Sequence, residues 1–335
     1  MSHVAARVSA TLIVCASLSA THIVLAQETI RIAGNFVPSH SSSIAIDQFE
    51  QDVELATEGQ LDVQVFNNMQ LGGAQENVSQ VRAGTIMMTW VGMAYLTRTV
   101  PELEAVSVPF LFPSREVAYQ VMDGPIGELF AEKLAEKGFE LLGIMELGER
   151  QVTNNVRPIR KLADLQGLKI RLQPNETHLD TFRALGANPI AMDVREVYSA
   201  LQQDVIDGQE NPYNVILASR YPEVQKFLSN TGHFFDFIPV VANKKKFAAL
   251  SPVLQEAIKT AMRNAVLAQR KAAAKADAQA LAELQKQGMQ YDALAPSERE
   301  AMRAAAADIV DEIRGRVGGD LLDRVIEKVQ QAAGS

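Results

Sequence analysis

Gly148–Asn211 is the segment that decides the architecture: it opens Gly148-Glu149-Arg150, passes through Leu168-Lys169-Ile170-Arg171-Leu172 and closes on Asp207-Gly208-Gln209-Glu210-Asn211. Arg150 ends one strand-like run, Arg171 lies inside a second, and the DGQEN string ends a third. The α/β alternation around them predicts a sheet with helices packed on it. Ligands of such sheets gather at strand ends, and two of these runs carry a permanent cation. The segment therefore reads as an anion-binding cleft.

Upstream, Thr29–Ala33 alternates like a strand and runs into the turn-rich Gly34–His40. Apolar Ile44, Ile46, Phe49, Val53 and Leu55 predict a helix that Gly59 stops. Leu61–Phe66 and Thr85–Trp90 read as further strands, with a polar helix after Leu71-Gly72-Gly73. Strand, helix, strand, helix argues for parallel βαβ units. Phe139–Glu146 adds a strand, and Asp193 with Glu196 has the form of a capping box that starts a helix. Phe237–Ala242 reads as a strand crossing back to the first unit. From Ser251-Pro252 one helical pattern runs without a breaker to Gly288. At 1.5 Å per residue a helix of about 36 residues spans roughly 54 Å, more than one small domain, so it is expected to pack across both units. The expected fold class is α/β, two domains of periplasmic-binding-protein type with that long helix spanning both. The first domain takes residues 27–148 plus about 238–275. The second takes 149–237 plus about 276–335, including the C-terminal helices.

Residues 1–26 carry one cation besides the amino terminus, Arg7, then a small, apolar run from Val8 to Ala20 and the small-residue pattern Val24-Leu25-Ala26. This predicts a secretory signal peptide and a periplasmic location; the run is too short and too polar for a membrane anchor. Cys15 lies within it, so the mature chain has no cysteine for disulfides, thiol chemistry or metal ligation. Removing the leader takes one arginine and no acid, moving the formal charge from −8 to −9. Nucleic acid is excluded as a partner, and an anion must be held by placed cations rather than by a general positive field.

The strings Gly148-Glu149-Arg150, Asp164-Leu165-Gln166-Gly167-Leu168-Lys169-Ile170-Arg171, Leu185-Gly186-Ala187-Asn188-Pro189, Glu196-Val197-Tyr198, Asp207–Asn211 and Glu223-Val224-Gln225-Lys226, with Pro109-Phe110-Leu111-Phe112 and His233, closely resemble the DctP family of solute-binding proteins. These serve tripartite ATP-independent periplasmic (TRAP) transporters. The resemblance covers essentially the whole mature chain. It implies two α/β domains closing on an organic acid such as a C4-dicarboxylate or a sugar acid, and delivery of that acid to membrane permease subunits. It also implies that Arg171 holds the ligand carboxylate, with Arg150 and Asn211 assisting. In the first domain it points to Asn35–His40, Gln75-Glu76 and Trp90. The polar Gln173-Pro174-Asn175-Glu176-Thr177-His178 departs from the usual pattern and adds Gln173 and His178 as candidates.

A guanidinium is planar, always charged and matched to a carboxylate by paired donors, which no lysine reproduces. Arg171 is the expected anchor. Arg150 fits either direct contact or support of Arg171. Asn211 can read an oxygen or cap the turn before Pro212, and both roles are compatible. Trp90 can stack on a ligand or fill the core, and Glu196 reads as a cap. Glu210 is expected to face away from its neighbour Asn211, as adjacent strand residues do. His40, His178 and His233 show no metal-ligand spacing, and neither a metal nor a cofactor is expected. An exported enzyme acting on organic acids is the competing class, but no nucleophile elbow, HExxH or phosphate loop supports it. A sensory binding protein presenting its ligand to a receptor is a further alternative. A monomer is expected.

Overall fold

The computed structural model describes residues 27–334; the leader expected over residues 1–26 lies outside the described residues. Its strands and helices are, in chain order, β1 (Glu28–Gly34), α1 (Ser41–Ala56), β2 (Leu61–Phe66), α2 (Ala74–Ala83), β3 (Met88–Trp90), α3 (Arg115–Met122), α4 (Pro125–Glu136), β4 (Phe139–Glu149) and β5 (Gln151–Asn154). There follow β6 (Lys169–Leu172), α5 (Glu176–Ala184), β7 (Asn188–Ala191), α6 (Val194–Gln202), β8 (Gly208–Asn211), α7 (Tyr213–Ala218), β9 (Phe227–Asn230) and β10 (Phe235–Asn243). The chain ends with α8 (Lys244–Ala249), α9 (Pro252–Lys286), β11 (Gln290–Ala293), α10 (Pro296–Ala305), α11 (Ile309–Val317) and α12 (Gly319–Ala333).

Two sheets result. The first has strand order β2-β1-β3-β10-β4 and the second β11-β9-β5-β8-β6-β7. β1 runs parallel to β2 and β3, and β6 parallel to β7 and β8, as the βαβ reading requires. β10 is antiparallel to both β3 and β4. β4 and β10 pair along their whole lengths, with irregularities between Asp236 and Phe237 and between Val240 and Val241. Only Arg150 separates β4 of the first sheet from β5 of the second. These two strands are the physical crossing between the sheets.

The long helix α9 has 35 residues, with Ser251 Oγ accepting from the Leu254 N–H as its cap and Pro252 in its first turn. Its first half buries Ile258, Ala261, Met262 and Val266 in the core that also holds Ile30, Phe49 and Met145. Its far end buries Ala280 and Leu284 with Val197, Leu201 and Tyr221 of the second sheet's side. Gly143 lets α9 lie close on β4: a Cβ there would meet Val266 Cγ2 at 2.7 Å. Midway, Gln269 Oε1 accepts from the Glu146 N–H at 2.9 Å, while its Nε2 donates to the Glu146 carbonyl at 2.8 Å and to Ser41 Oγ at 3.1 Å. One amide thus joins α9, β4 and α1.

Some local expectations are revised. In α1 the buried stripe is Ala45, Ile46, Phe49 and Val53, whereas Ile44 and Leu55 are exposed because they fall off that face of the 3.6-residue repeat. The third strand shortens to Met88–Trp90, since the chain is still leaving the left-handed Gly84 turn at Thr85. At α6 the Asp193 carboxylate accepts from the Arg195 N–H, and the Arg195 side chain, not Glu196, folds back on the cap.

Replacing Gln269 with Leu would leave a buried Glu146 N–H and carbonyl unpaired. Each such loss costs roughly 1–3 kcal/mol, so Gln269→Leu is expected to lower unfolding stability by at least ~2 kcal/mol in urea titrations. An unchanged midpoint would show that the clamp is redundant.

Candidate functional site

A cavity of about 340 Å³ lies between the two sheets. Its walls come from the chain leaving β1 (Asn35, Phe36, His40), β2 (Asn68, Met69) and β3 (Gly92, Tyr95), and from Arg171, Gln173, Arg195, Tyr198, Asn211 and the turn Ser219–Tyr221. The parallel strands direct their carboxyl ends toward this space, which is where the peptide geometry of an open α/β sheet leaves a crevice.

Arg171 is 1% exposed and still charged. Its Nε and Nη2 donate to the Met192 carbonyl at 2.9 and 2.7 Å, and Nη2 also donates to the Tyr95 hydroxyl at 3.2 Å. No carboxylate lies within ion-pair distance of it among the described residues. Arg195 and Arg220, which also line the cavity, are already committed: Arg195 to Asp193 at 3.1 Å and Glu76 at 3.3 Å, Arg220 to Glu223 at 2.7 Å. The lining contains no acid. Arg171 is held in place by neutral oxygens, with no acid paired to it among the described residues.

Arg150 is arranged in the opposite way. It is fully buried, with Nε on the Glu210 carboxylate, Nη2 on Glu210 Oε1 at 2.8 Å and Nη1 on Asp236 Oδ2 at 3.2 Å. It is absent from the cavity wall. Although burial alone would raise its pKa, the Arg150 charge and the hydrogen bonds from His233 and Arg150 hold the Glu210 carboxyl far below the usual carboxylate range. The Glu210 carboxylate is turned to Arg150 and does not line the cavity, whereas its neighbour Asn211 does, as strand alternation anticipates. Arg150 also positions Asn211: Nη2 donates to its Oδ1 at 3.1 Å, and Asn211 Nδ2 donates to Gln209 Oε1 at 2.6 Å. Gln173 is oriented by the same acid, its Nε2 donating to Asp236 Oδ2 at 3.0 Å. Its Oε1 crowds Gly92, where a Cβ would sit 2.9 Å away.

On the first sheet's side, Asn35 and His40 line the cavity. His40 stacks on Phe36 at 4.6 Å, and its Nδ1 accepts from the Ser42 N–H at 3.2 Å, capping α1. That contact puts the proton on Nε2. Burial lowers the His40 pKa to about 4, so the ring is neutral at pH 7. His40 Nε2 and Asn35 Oδ1 are buried without partners among the described residues. An unmet buried polar atom is costly, so each of these two offers a hydrogen-bonding position at the cavity wall.

Three other candidates lie outside the wall. Trp90 is fully buried in the core because its ring lies over Gly34, its register partner on β1. Glu76 accepts from the Gly73 N–H at 2.7 Å and pairs with Arg195 across the mouth of the cleft. His178 stacks on Phe234 at 4.2 Å in the interior. The aromatic contributions come instead from Tyr95, Tyr198 and Tyr221, which sequence reasoning missed. Tyr95 sits one turn beyond the strand end where Trp90 was sought. Among the described residues no group of three or more His, Cys, Asp or Glu is placed to hold a metal ion, and no helix is long and apolar enough to cross a membrane.

Burial lowers the His178 pKa from 6.5 to about 3. Between those values the unfolded chain binds a proton at His178 that the folded chain refuses, so this residue costs stability as pH falls below 6.5. The slope approaches ~1.4 kcal/mol per pH unit for one proton. His178→Phe is expected to flatten the stability profile by that amount between pH 6 and 4, with no change in slope above pH 7. Parallel urea profiles for the two proteins would contradict it.

The family model for DctP, bacterial extracellular solute-binding protein family 7, matches residues 33–315. The chain is 38% identical to the 2,3-diketo-L-gulonate-binding periplasmic protein YiaO of Escherichia coli K12, over 74% of this chain and 75% of that one. Among solved structures, the sugar acid binding protein DctPAm of Advenella mimigardefordensis in complex with galactonate superposes with a TM-score of 0.90 at 31% identity, covering 92% of this chain and 99% of that one. A TRAP periplasmic solute binding protein of Sulfurospirillum deleyianum with bound succinate gives a TM-score of 0.86 at 29% identity, covering 90% and 98%. Fold, cleft and matched length agree: this chain belongs to the DctP family, the extracytoplasmic solute-binding proteins of TRAP transporters, which bind small carboxylates for permease subunits and are not enzymes.

Proposed function

We propose that the solute is a sugar acid, a single carboxylate on a hydroxylated chain. The observation that carries this reading is the charge inventory of the cleft. Arg171 alone among the lining arginines lacks an acid partner. A second carboxylate would have to compete with Asp193, Glu76 or Glu223 for a cation. The remaining polar atoms without partners, Asn35 Oδ1 and His40 Nε2, suit hydroxyls. The galactonate complex of DctPAm supports the same choice.

In this mechanism the acid end lies on Arg171, with Tyr95 and Asn211 beside it, and the hydroxylated end reaches Asn35 and His40. The guest touches both sheets only when the lobes are together. Its differential affinity therefore selects the closed form. The lobes are taken as residues 27–148 with 238–275 and residues 149–237 with 276–335. Residues 1–26 act as the export leader, and the mature chain works as a monomer.

Stability in the presence of a guest tests the ligand class, because a compound bound only by the folded state adds RT ln(1 + [L]/Kd), about 2.7 kcal/mol at a hundredfold excess over Kd. Aldonates and uronates are expected to give the largest thermal shifts, succinate a smaller one and the corresponding amides none. An amide shifting the transition more than its acid would remove the carboxylate clamp from the account. For Arg171→Lys and Arg171→Ala, calorimetry is expected to give affinities for the best acid weakened more than about tenfold, over ~1.4 kcal/mol each. Wild-type affinity in a folded Arg171→Ala protein would reject the anchor.

A further inference from the structure

Next to the cleft lies a second cavity of about 390 Å³, between the start of α1, α7 and the far half of α9. The two cavities share His40 and Ala218, so an imidazole and a methyl group stand where they adjoin. Ser39, which also lines the second cavity, is exposed and opens it to solvent.

Two side chains of this cavity keep unspent polar atoms, although Ser41 Oγ is taken by Gln269. Asn214 is 8% exposed, yet neither Oδ1 nor Nδ2 has a partner among the described residues. Its backbone is nevertheless held, because the Asn214 N–H donates to Asp277 Oδ1 at 3.3 Å. His40, 4% exposed, brings the unpartnered Nε2 described above. No charged side chain lines the space, and Leu217 and Ala280 supply apolar surface. A buried primary amide offers donors and an acceptor together. Set beside methyl groups, it matches a sugar ring, with hydroxyls at its edge and C–H groups on its face. The lack of a lining cation excludes a second carboxylate.

We infer that this cavity is a distal subsite for a neutral hydroxylated group joined through a hydroxyl of the acid on Arg171, away from its carboxylate, so that the protein accepts glycosylated sugar acids as well as single ones. The inference rests on the sugar-acid reading above.

The test compares D-gluconate with lactobionate, the same acid carrying a galactosyl group, by calorimetry on the wild-type protein and on Asn214→Leu. Wild type is expected to bind lactobionate within about tenfold of gluconate. Asn214→Leu is expected to weaken lactobionate by about tenfold or more while changing gluconate less than about threefold. Should that variant fail to fold, Ala276→Leu fills the same cavity from a half-buried position on α9 and carries the same expectation. Equal weakening of both acids would assign these residues to lobe packing and overturn the subsite. Gluconate bound with lactobionate excluded from wild type would overturn it too, leaving only a water-filled hollow. If neither acid binds the folded wild-type protein, the sugar-acid reading itself fails, and the subsite with it.

Discussion

Everything in the cleft depends on one buried guanidinium that is fixed in position without being neutralised. Arg171 is oriented by the Met192 carbonyl and the Tyr95 hydroxyl, both uncharged oxygens. A carboxylate in the same place would hold the side chain equally well, but a guest would then have to displace it, and removing one partner of a buried pair costs several kcal/mol. Neutral acceptors avoid that competition. Arg150 shows the alternative in the same molecule: with Glu210 and Asp236 on it, the side chain is structural, and its output is the orientation of Asn211. Two buried arginines differ in role because of what they touch.

This arrangement also explains how a chain of net charge −8 can bind an anion. The long-range field opposes the guest, but the field inside a narrow cleft is set by the nearest groups. Acids close to the site are consumed in pairs: Asp193 and Glu76 with Arg195, Glu223 with Arg220, and Glu210 and Asp236 with Arg150. None lines the cavity, so the local balance is positive where the guest sits.

Much of the fold was legible in the sequence because period and punctuation report on the backbone. The long helix, its Ser251-Pro252 start, the parallel units and the crossing strand at β10 all follow from those signals. The cavity wall was legible mainly at strand ends, where Asn35, Gln173 and Asn211 follow or close β1, β6 and β8. Arg171, Asn211, Gln173, Asn35 and His40 all line the cavity. Trp90, Glu76, His178 and Arg150 do not, because whether a polar or aromatic side chain faces a cleft or a core depends on what lies opposite it in space. The ring of Trp90 goes to the core because β1 presents a glycine there, a long-range pairing that no local pattern encodes. Tyr95, Tyr198 and Tyr221 were invisible for the same reason.

Along β4 and β5 the crossing between the sheets is confined to one residue. β4 and β10 remain paired right up to Arg150, where β4 of the first sheet passes into β5 of the second. Gln269 ties the outgoing strand to α9 and to the first turn of α1 at that level. The ladders on either side run up to Arg150. Contacts also cross the cleft, among them Tyr95 with Arg171, Glu76 with Arg195, and Gln173 over Gly92. The first of these is a hydrogen bond to Arg171 itself. On the function proposed above, a guest held by Arg171 would engage the same side chain that Tyr95 reaches from across the cleft, so binding and contact between the two sides would share one group.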